Sequence, residues 1–391
     1  MTKRCYKTLL LAAIIICFSA FSVMAEEGVT DTEIHIGQTG PLSGPAAAWS
    51  TVSKGAGLLF KMVNEEGGIA GRKIVYHVYD DSYNPAKTKA GVKQLQETAP
   101  GIFAWVGGVG TATGLAVLNY LVNKNVPWVG MASGSDAWVT PPQKNIFSVY
   151  PHYQIEARSL CKYAIDTLGK KKIAIAYQND PYGQSGLKGA SEAISKYNLQ
   201  LAATVPVEKE NPNLKETALA LRNSGAEVVF LWLTPFSALR IIQESKSMKF
   251  EPQWMSSSTF SDFPQLYNLS KGLIKGLIAA TFFDFKSSLM EKYKEAKNKL
   301  SPEDEWGIFY IGGIGFAEPL VEGLKRCGKE LTKDKFIAEM EKMQNFKGLT
   351  GAITYAPFDA SNPSCRQGLN KVLLVECLEG GESKVLTDWM E

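Results

Sequence analysis

The run GGVGTATG at 107–114 follows an apolar stretch, IFAWVG at 102–107, and opens a helical pattern. A strand that turns on glycines into a helix leaves the first helical N–H groups without intrahelical partners. That end also carries the positive pole of the helix dipole, so the chemistry on offer is capture of a carboxylate or phosphate. Gly110 lets the backbone approach a ligand, and Thr111 and Thr113 add hydroxyl donors. The plainer reading is an ordinary helix cap. A dinucleotide site is not expected: Gly108, Gly110 and Gly114 do not space as G-x-G-x-x-G, the turn falls in the third βα unit, and no G-x-x-x-x-G-K-[ST] occurs.

Catalytic constellations are missing from the pattern. The chain has 3 histidines. His35 and His77 fall inside strands, where a hydrogen-bonded structural role is the commoner one, and His152 falls near a proposed lobe junction. Asp80 and Asp81 end a strand, but adjacent carboxylates point to opposite sides, which suits capping and solvation better than a metal. There is no G-x-S-x-G elbow, no C-x-x-C, and no set that combines nucleophile, base and orienting group. Neither enzyme chemistry, metal nor cofactor is expected. Aromatics recur at loop positions instead: Trp49, Tyr83, Trp138, Tyr150, Tyr182, Trp232, Phe236 and Trp306. Gathered at strand mouths, several of these would wall an apolar cleft.

The elements that must position these residues alternate from residue 33 onward. Strands are predicted at 33–39, 73–79, 102–107 and 127–131, with helices at 49–66, 85–98 and 111–123 between them. After a break at Pro141-Pro142 a second rhythm has strands at 146–149, 172–177, 201–207, 228–233 and 253–256, with a helix over 153–168. A third segment starts near 274–283, carries helices at 308–327 and 333–344, and ends in strands at 351–355, 371–377 and 384–386. Repeated βα units imply parallel sheets covered by helices on both faces, so the fold class is α/β with two doubly wound lobes. Ligands of such sheets sit at the carboxyl ends of strands. Besides 107–114, those ends hold GPLSGP at 40–45 and ASGS at 132–135.

With 391 residues the chain exceeds one ordinary core. Residues 1–25 read as a secretory signal: Lys3, Arg4 and Lys7, an apolar 9–21, then Val23-Met24-Ala25 before Glu26. The apolar run is short for a membrane span. Cys17 follows three isoleucines, which argues against a lipoprotein site. Of the 42 Lys and Arg, three lie in this segment and none of the 39 Asp and Glu does, so the remainder is neutral and gives no reason to expect nucleic acid. Cys161, Cys327, Cys365 and Cys377 remain. In an oxidising compartment they admit one or two disulfides, and a bridge among the last three is expected.

Four stretches resemble the branched-chain amino-acid-binding (Leu/Ile/Val) family of type I periplasmic solute-binding proteins: IHIGQTGPLSGPAAAW at 34–49, NEEGGIAGRKI at 64–74 with YDD at 79–81, WVGGVGTAT at 105–113, and NDPYGQSG at 179–186. The resemblance implies two lobes joined by three crossovers that close on a ligand. Lobe 1 is expected over 26–149 with 275–358, and lobe 2 over 150–274 with 359–391. It further implies a monomeric periplasmic protein serving the membrane permease of an ABC importer, with a ligand-sensing receptor domain as the alternative.

By position, the resemblance puts the covering aromatic at Trp49 and the carboxylate-binding hydroxyl at Thr111 beside Gly110. It puts further contacts at Ala132, Ser133 and Ser135, and the second-lobe tyrosine at Tyr182. A second aromatic would align near Thr234, with Phe236 close by. The acid that would meet an α-ammonium aligns within 256–259, around Ser258, where no carboxylate exists. The expected ligand is therefore a small carboxylate: an aromatic or branched acid without a free amine, or an amino acid whose ammonium finds another acceptor. If Thr111 bonds that charge directly, Thr111→Ala should cost about 1.5–3 kcal/mol of binding.

Overall fold

The computed structural model describes residues 26–210 and 212–391. The expected signal at 1–25 lies outside the described residues.

The first rhythm folds as β1 (Glu33–Gly40), α1 (Thr51–Glu65), β2 (Lys73–Asp80), α2 (Pro85–Glu97), β3 (Ala104–Val106), α3 (Thr111–Asn123), β4 (Trp128–Val129) and β5 (Ile146–Phe147). The five strands form one sheet in the order β2-β1-β3-β4-β5, with every pair parallel. The helix expected from residue 49 begins instead as a 3-10 turn, Ala47–Ser50, before α1.

The second rhythm gives α4 (Tyr153–Lys162), which passes into a π-helical turn at Tyr163–Thr167, then β6 (Ile173–Gln178), α5 (Pro181–Ser195), β7 (Ala203–Val207), α6 (Leu214–Asn223), β8 (Val228–Trp232), α7 (Pro235–Ser247), β9 (Gln253–Ser256), α8 (Phe263–Ser270) and β10 (Ile278–Thr281). The remainder is α9 (Leu289–Leu300), α10 (Ile308–Cys327), α11 (Lys333–Glu341), the ribbon β11 (Phe346–Gly348) and β12 (Gly351–Ile353), then β13 (Leu373–Cys377) and β14 (Ser383–Val385).

The second sheet runs β14-β13-β10-β9-β8-β6-β7. It is parallel from β10 to β7, with β13 antiparallel to β10 and β14 antiparallel to β13. The boundary expected at residue 274 is thus corrected. β10 hydrogen-bonds to β9 and to β13, so the chain leaves the second sheet only after Thr281. The chain passes between the sheets three times, after β5, after β10 and before β13.

α10 returns to the first lobe and lies against α1 at backbone distance. A Cβ on Gly55 would stand 1.9 Å from the Tyr310 carbonyl oxygen, and one on Gly313 would stand 1.9 Å from that of Val52. The start of α10 is held from the other lobe, because the buried Asp262 carboxylate accepts the Phe309 N–H at 2.9 Å. α10 therefore contributes to the floor where the lobes meet.

The expected disulfide does not form. Cys161, Cys327, Cys365 and Cys377 are each buried as free thiols. The histidines in strands are structural, with His35 Nδ1 2.9 Å from His77 Nε2 across the β1–β2 pair. Asp80 holds the 40–45 loop by accepting from the Leu42 and Ser43 backbone N–H groups.

A candidate ligand pocket between the lobes

Three helices that start at strand ends show how the site is made. α2 is capped by Asn84, which accepts from the Ala86 and Lys87 N–H groups, with Pro85 in its first turn. α5 is capped likewise by Asp180, which accepts from Tyr182 and Gly183. α3 has no side-chain cap; it starts from Gly110 at φ +105°. A Cβ there would stand 2.4 Å from the Tyr83 ring, so glycine is required both by conformation and by space. The uncapped end of α3 opens on a pocket between the two lobes, with Gly110 in its wall.

The first lobe supplies Trp49, Val52, Tyr83, Val109 and Ala132, and the second supplies Tyr182, Ser258 and Thr259. Tyr150, Phe282 and Phe283 line it from the crossovers, Tyr153 from the start of α4, and Ile308, Phe309, Gly312 and Phe316 from α10. Nine of these residues are aromatic and none is charged. The space left is about 50 Å³, several times the roughly 10–15 Å³ that one water needs on the same measure. The cavity has room for a small molecule.

Hydrogen bonds tie the rings in place. Asp81 accepts the Tyr83 N–H at 2.8 Å and the Thr88 hydroxyl at 2.9 Å, which fixes Tyr83 at φ +60°. Burial pushes the Asp81 carboxyl up to about 6. Lys209 of the second lobe donates to the Tyr83 carbonyl at 3.3 Å and lies 4.5 Å from its ring centre. Trp49 donates its indole N–H to the Thr259 carbonyl at 3.0 Å. The Tyr182 hydroxyl is 2.6 Å from Thr259 Oγ1 and 3.1 Å from Ser257 Oγ. Two of these contacts, Lys209 to Tyr83 and Trp49 to Thr259, join opposite lobes around the cavity, so the structure is the closed form.

Behind Ser258 lies a fully buried acid that no sequence pattern marked. Glu156, on α4, accepts the Ser258 N–H at 3.0 Å on Oε2, and its Oε1 is 2.6 Å from Ser258 Oγ. Ser258 Oγ also bonds the Tyr150 hydroxyl. With no cation beside it among the described residues, burial holds the Glu156 carboxyl up at about 8.

A profile of the periplasmic binding protein family matches residues 33–366. This chain belongs to the periplasmic binding protein family. The family is one of binding proteins rather than enzymes, and the two-lobed α/β architecture is that of its type I members. A Leu/Ile/Val-binding protein homologue from Brucella melitensis is 27% identical over 199 residues, covering 51% of this chain and 54% of that protein. The chain thus spans about half the length of that curated relative. A fatty acid ABC transporter substrate-binding protein from Thermomonospora curvata superposes with a TM-score of 0.84 at 21% identity, covering 94% of each chain. A branched chain amino acid ABC transporter protein from Thermus thermophilus with bound valine gives 0.79 at 20% identity, covering 93% of this chain and 97% of that one.

Within this periplasmic binding protein, Trp49, Gly110, Ala132, Tyr182 and Ser258 line the pocket. Thr111, Ser133, Ser135 and Thr234 do not. Thr111 is fully buried with its hydroxyl 2.7 Å from Ser133 Oγ, so those two satisfy each other behind the wall. Ser133 also accepts from the Ser135 N–H at 3.4 Å, and Ser135 in turn caps the 3-10 turn at Asp136–Trp138. Thr234 donates to Ser237 Oγ at the start of α7, and Phe236 beside it is exposed. Of the flagged loop aromatics, Tyr83 and Tyr150 join the wall, while Trp138 and Trp232 are core. Phe282 and Phe283 were legible in principle, because they directly follow β10 at a strand's carboxyl end.

Proposed function

We propose that this protein is the extracytoplasmic solute receptor of an ABC importer and that it captures a small carboxylic acid with an apolar body and no free amine. The single observation that carries the reading is a pocket walled by nine aromatic residues and no charged one, with the uncapped N-terminus of α3 at its edge. The N–H groups of that helix end suit a carboxylate. The rings suit a branched or aromatic body. An α-ammonium in the same space would be desolvated without an ionised partner, which is costly. Export by the segment at 1–25 and delivery to a membrane permease complete the proposal. It is supported by family membership and by the lack, among the described residues, of any helix long and apolar enough to cross a membrane.

A second reading, amino-acid capture, is favoured by the name of the Brucella relative and by the valine in the Thermus structure. Thermal shift with matched pairs separates the two: 4-methyl-2-oxopentanoate against leucine, 3-methyl-2-oxobutanoate against valine, and phenylacetate against phenylalanine. A ligand at 100 times its Kd stabilises the folded state by about 2.7 kcal/mol. Stabilisation by the acids is expected. Stabilisation by the amino acids alone would overturn the proposal in favour of the second reading.

A further inference from the structure

We infer that Glu156 is the specificity-determining residue of the pocket: it sets the direction of the Ser258–Tyr150 hydroxyl pair so that the wall offers a proton to a ligand oxygen and turns away an ammonium. This deepens the proposed function and rests on it.

The argument is a count of protons. Three oxygens lie in series, Glu156 Oε1, Ser258 Oγ and Tyr150 Oη, joined by two hydrogen bonds. Glu156 Oε2 is committed as acceptor of the Ser258 N–H in either charge state. If the carboxyl is neutral, the series holds three protons for two bonds. One O–H is left over, and Tyr150 and Ser258 both line the cavity. The spare proton therefore faces the ligand. If the carboxyl is ionised, the series holds two protons for two bonds. Ser258 then donates to Glu156 and Tyr150 to Ser258, and only lone pairs face the cavity.

The surroundings favour the neutral form. Glu156 has 0% exposure. Tyr153 on its own helix, Tyr150 just before it and Tyr182 on α5 are the titratable groups that face it, and burial raises all three above the usual phenol range. Asp180 on α5 is turned to its own cap, and Lys188 on α5 lies 3.8 Å from Asp136. β10, also packed on α4, brings only Thr281 at its end. His152, before α4, bonds Gln367, and burial lowers it, so it is neutral above pH 7. Among the described residues no cation reaches Glu156, and burial carries its carboxyl to about 8 against the lowering pull of the two Ser258 hydrogen bonds. A ligand carboxylate, already placed by the α3 terminus, thus meets a second donor on the opposite wall. An ammonium meets a proton.

The test is isothermal titration of the chain starting at Glu26 with 4-methyl-2-oxopentanoate between pH 7 and 9, the fold being checked by circular dichroism. In the wild type, affinity is expected to hold to about pH 8 and then fall roughly tenfold per pH unit. Glu156→Gln keeps an acceptor for the Ser258 N–H and a donor for Ser258 Oγ at every pH. Its affinity, whatever its level at pH 7, is expected to stay flat to pH 9. Ser258→Ala cuts the series while leaving Glu156 in place, and is expected to flatten the profile as well. A flat wild-type profile, or the same fall in Glu156→Gln, overturns the inference while leaving the proposed function intact. Binding of leucine but of no acid at pH 7 overturns both.

Discussion

Trp49 in the first lobe and Thr259 in the second are joined across the cavity by an indole N–H to carbonyl hydrogen bond of 3.0 Å. The same Thr259 takes the Tyr182 hydroxyl on its side chain at 2.6 Å. Trp49 also stands edge-on to Tyr83 with ring centres 5.4 Å apart. One bond therefore fastens the aromatic wall of one lobe to the hydroxyl cluster of the other.

Trp49→Phe keeps a ring but removes the donor. A neutral hydrogen bond contributes about 0.5–1.5 kcal/mol, so affinity should weaken roughly 2- to 13-fold. The loss should fall on the dissociation rate, because the bond exists only after the lobes close. Stopped-flow fluorescence with a stabilising acid checks this. A slower association with unchanged dissociation would show that Trp49 acts in the open form instead.

Thr111→Ala should now behave differently from the expectation drawn on the resemblance. Its hydroxyl pairs with Ser133 Oγ away from the cavity. Its loss leaves a buried hydroxyl short of a partner, which costs about 1–3 kcal/mol of folding stability. Ligand affinity should change less than about threefold. Chemical denaturation together with titration calorimetry separates the two effects; a tenfold loss of affinity at unchanged stability would restore the direct contact.

Stability should fall as pH rises from 5 to 8. Burial raises Glu156 to about 8, Glu318 to about 7, and Asp81 and Asp262 to about 6, from the ordinary carboxyl values of 4.5 for Glu and 3.8 for Asp. A carboxyl raised in the folded state contributes stability that is complete below its unfolded value and lost as pH climbs through the folded one. Each such group withdraws about 1.4 kcal/mol per pH unit across that window. Scanning calorimetry should show Tm declining from pH 5 to 8, with a shallower slope in Glu156→Gln. A Tm that rises over this range would contradict the assignment.

The four thiols should be silent in the native protein. Burial raises Cys161 and Cys377 to about 12 and Cys327 to about 11, and Cys365 is 1% exposed. A thiol reagent should find none of the four in the folded chain starting at Glu26 and all four in denaturant. Reductant should leave Tm unchanged. A drop in Tm on reduction would reveal a disulfide.

Much of this architecture is local information, which is why it reads from the sequence. α3 at Thr111–Asn123 follows from apolar spacing opened by Gly110, α10 at Ile308–Cys327 from apolar spacing bounded by Gly307 and Gly328, and β9 at Gln253–Ser256 from its short apolar run. The uncapped turn at Gly110 was legible for the same reason: strand, glycines and helix are contiguous. Trp49, Ala132, Tyr182 and Ser258 were placed by the family resemblance, and Trp49, Ala132 and Tyr182 also stand out in or beside strand-end loops. What the sequence could not decide is direction and partnership between distant segments. β10 looks like the start of a return to the first lobe, yet it inserts between β9 and β13, because parallel pairing is set by sheet geometry rather than by residue type. Thr111 and Ser133 turn inward to each other because a buried hydroxyl must be satisfied wherever the fold brings two together. Glu156 was invisible because an acid in an amphipathic helix ordinarily reads as its solvated face. Only the packing of α4 under the Ser258 loop buries it, at 102 residues' separation in the chain. That removal from water is what gives an ordinary glutamate its control over the pocket.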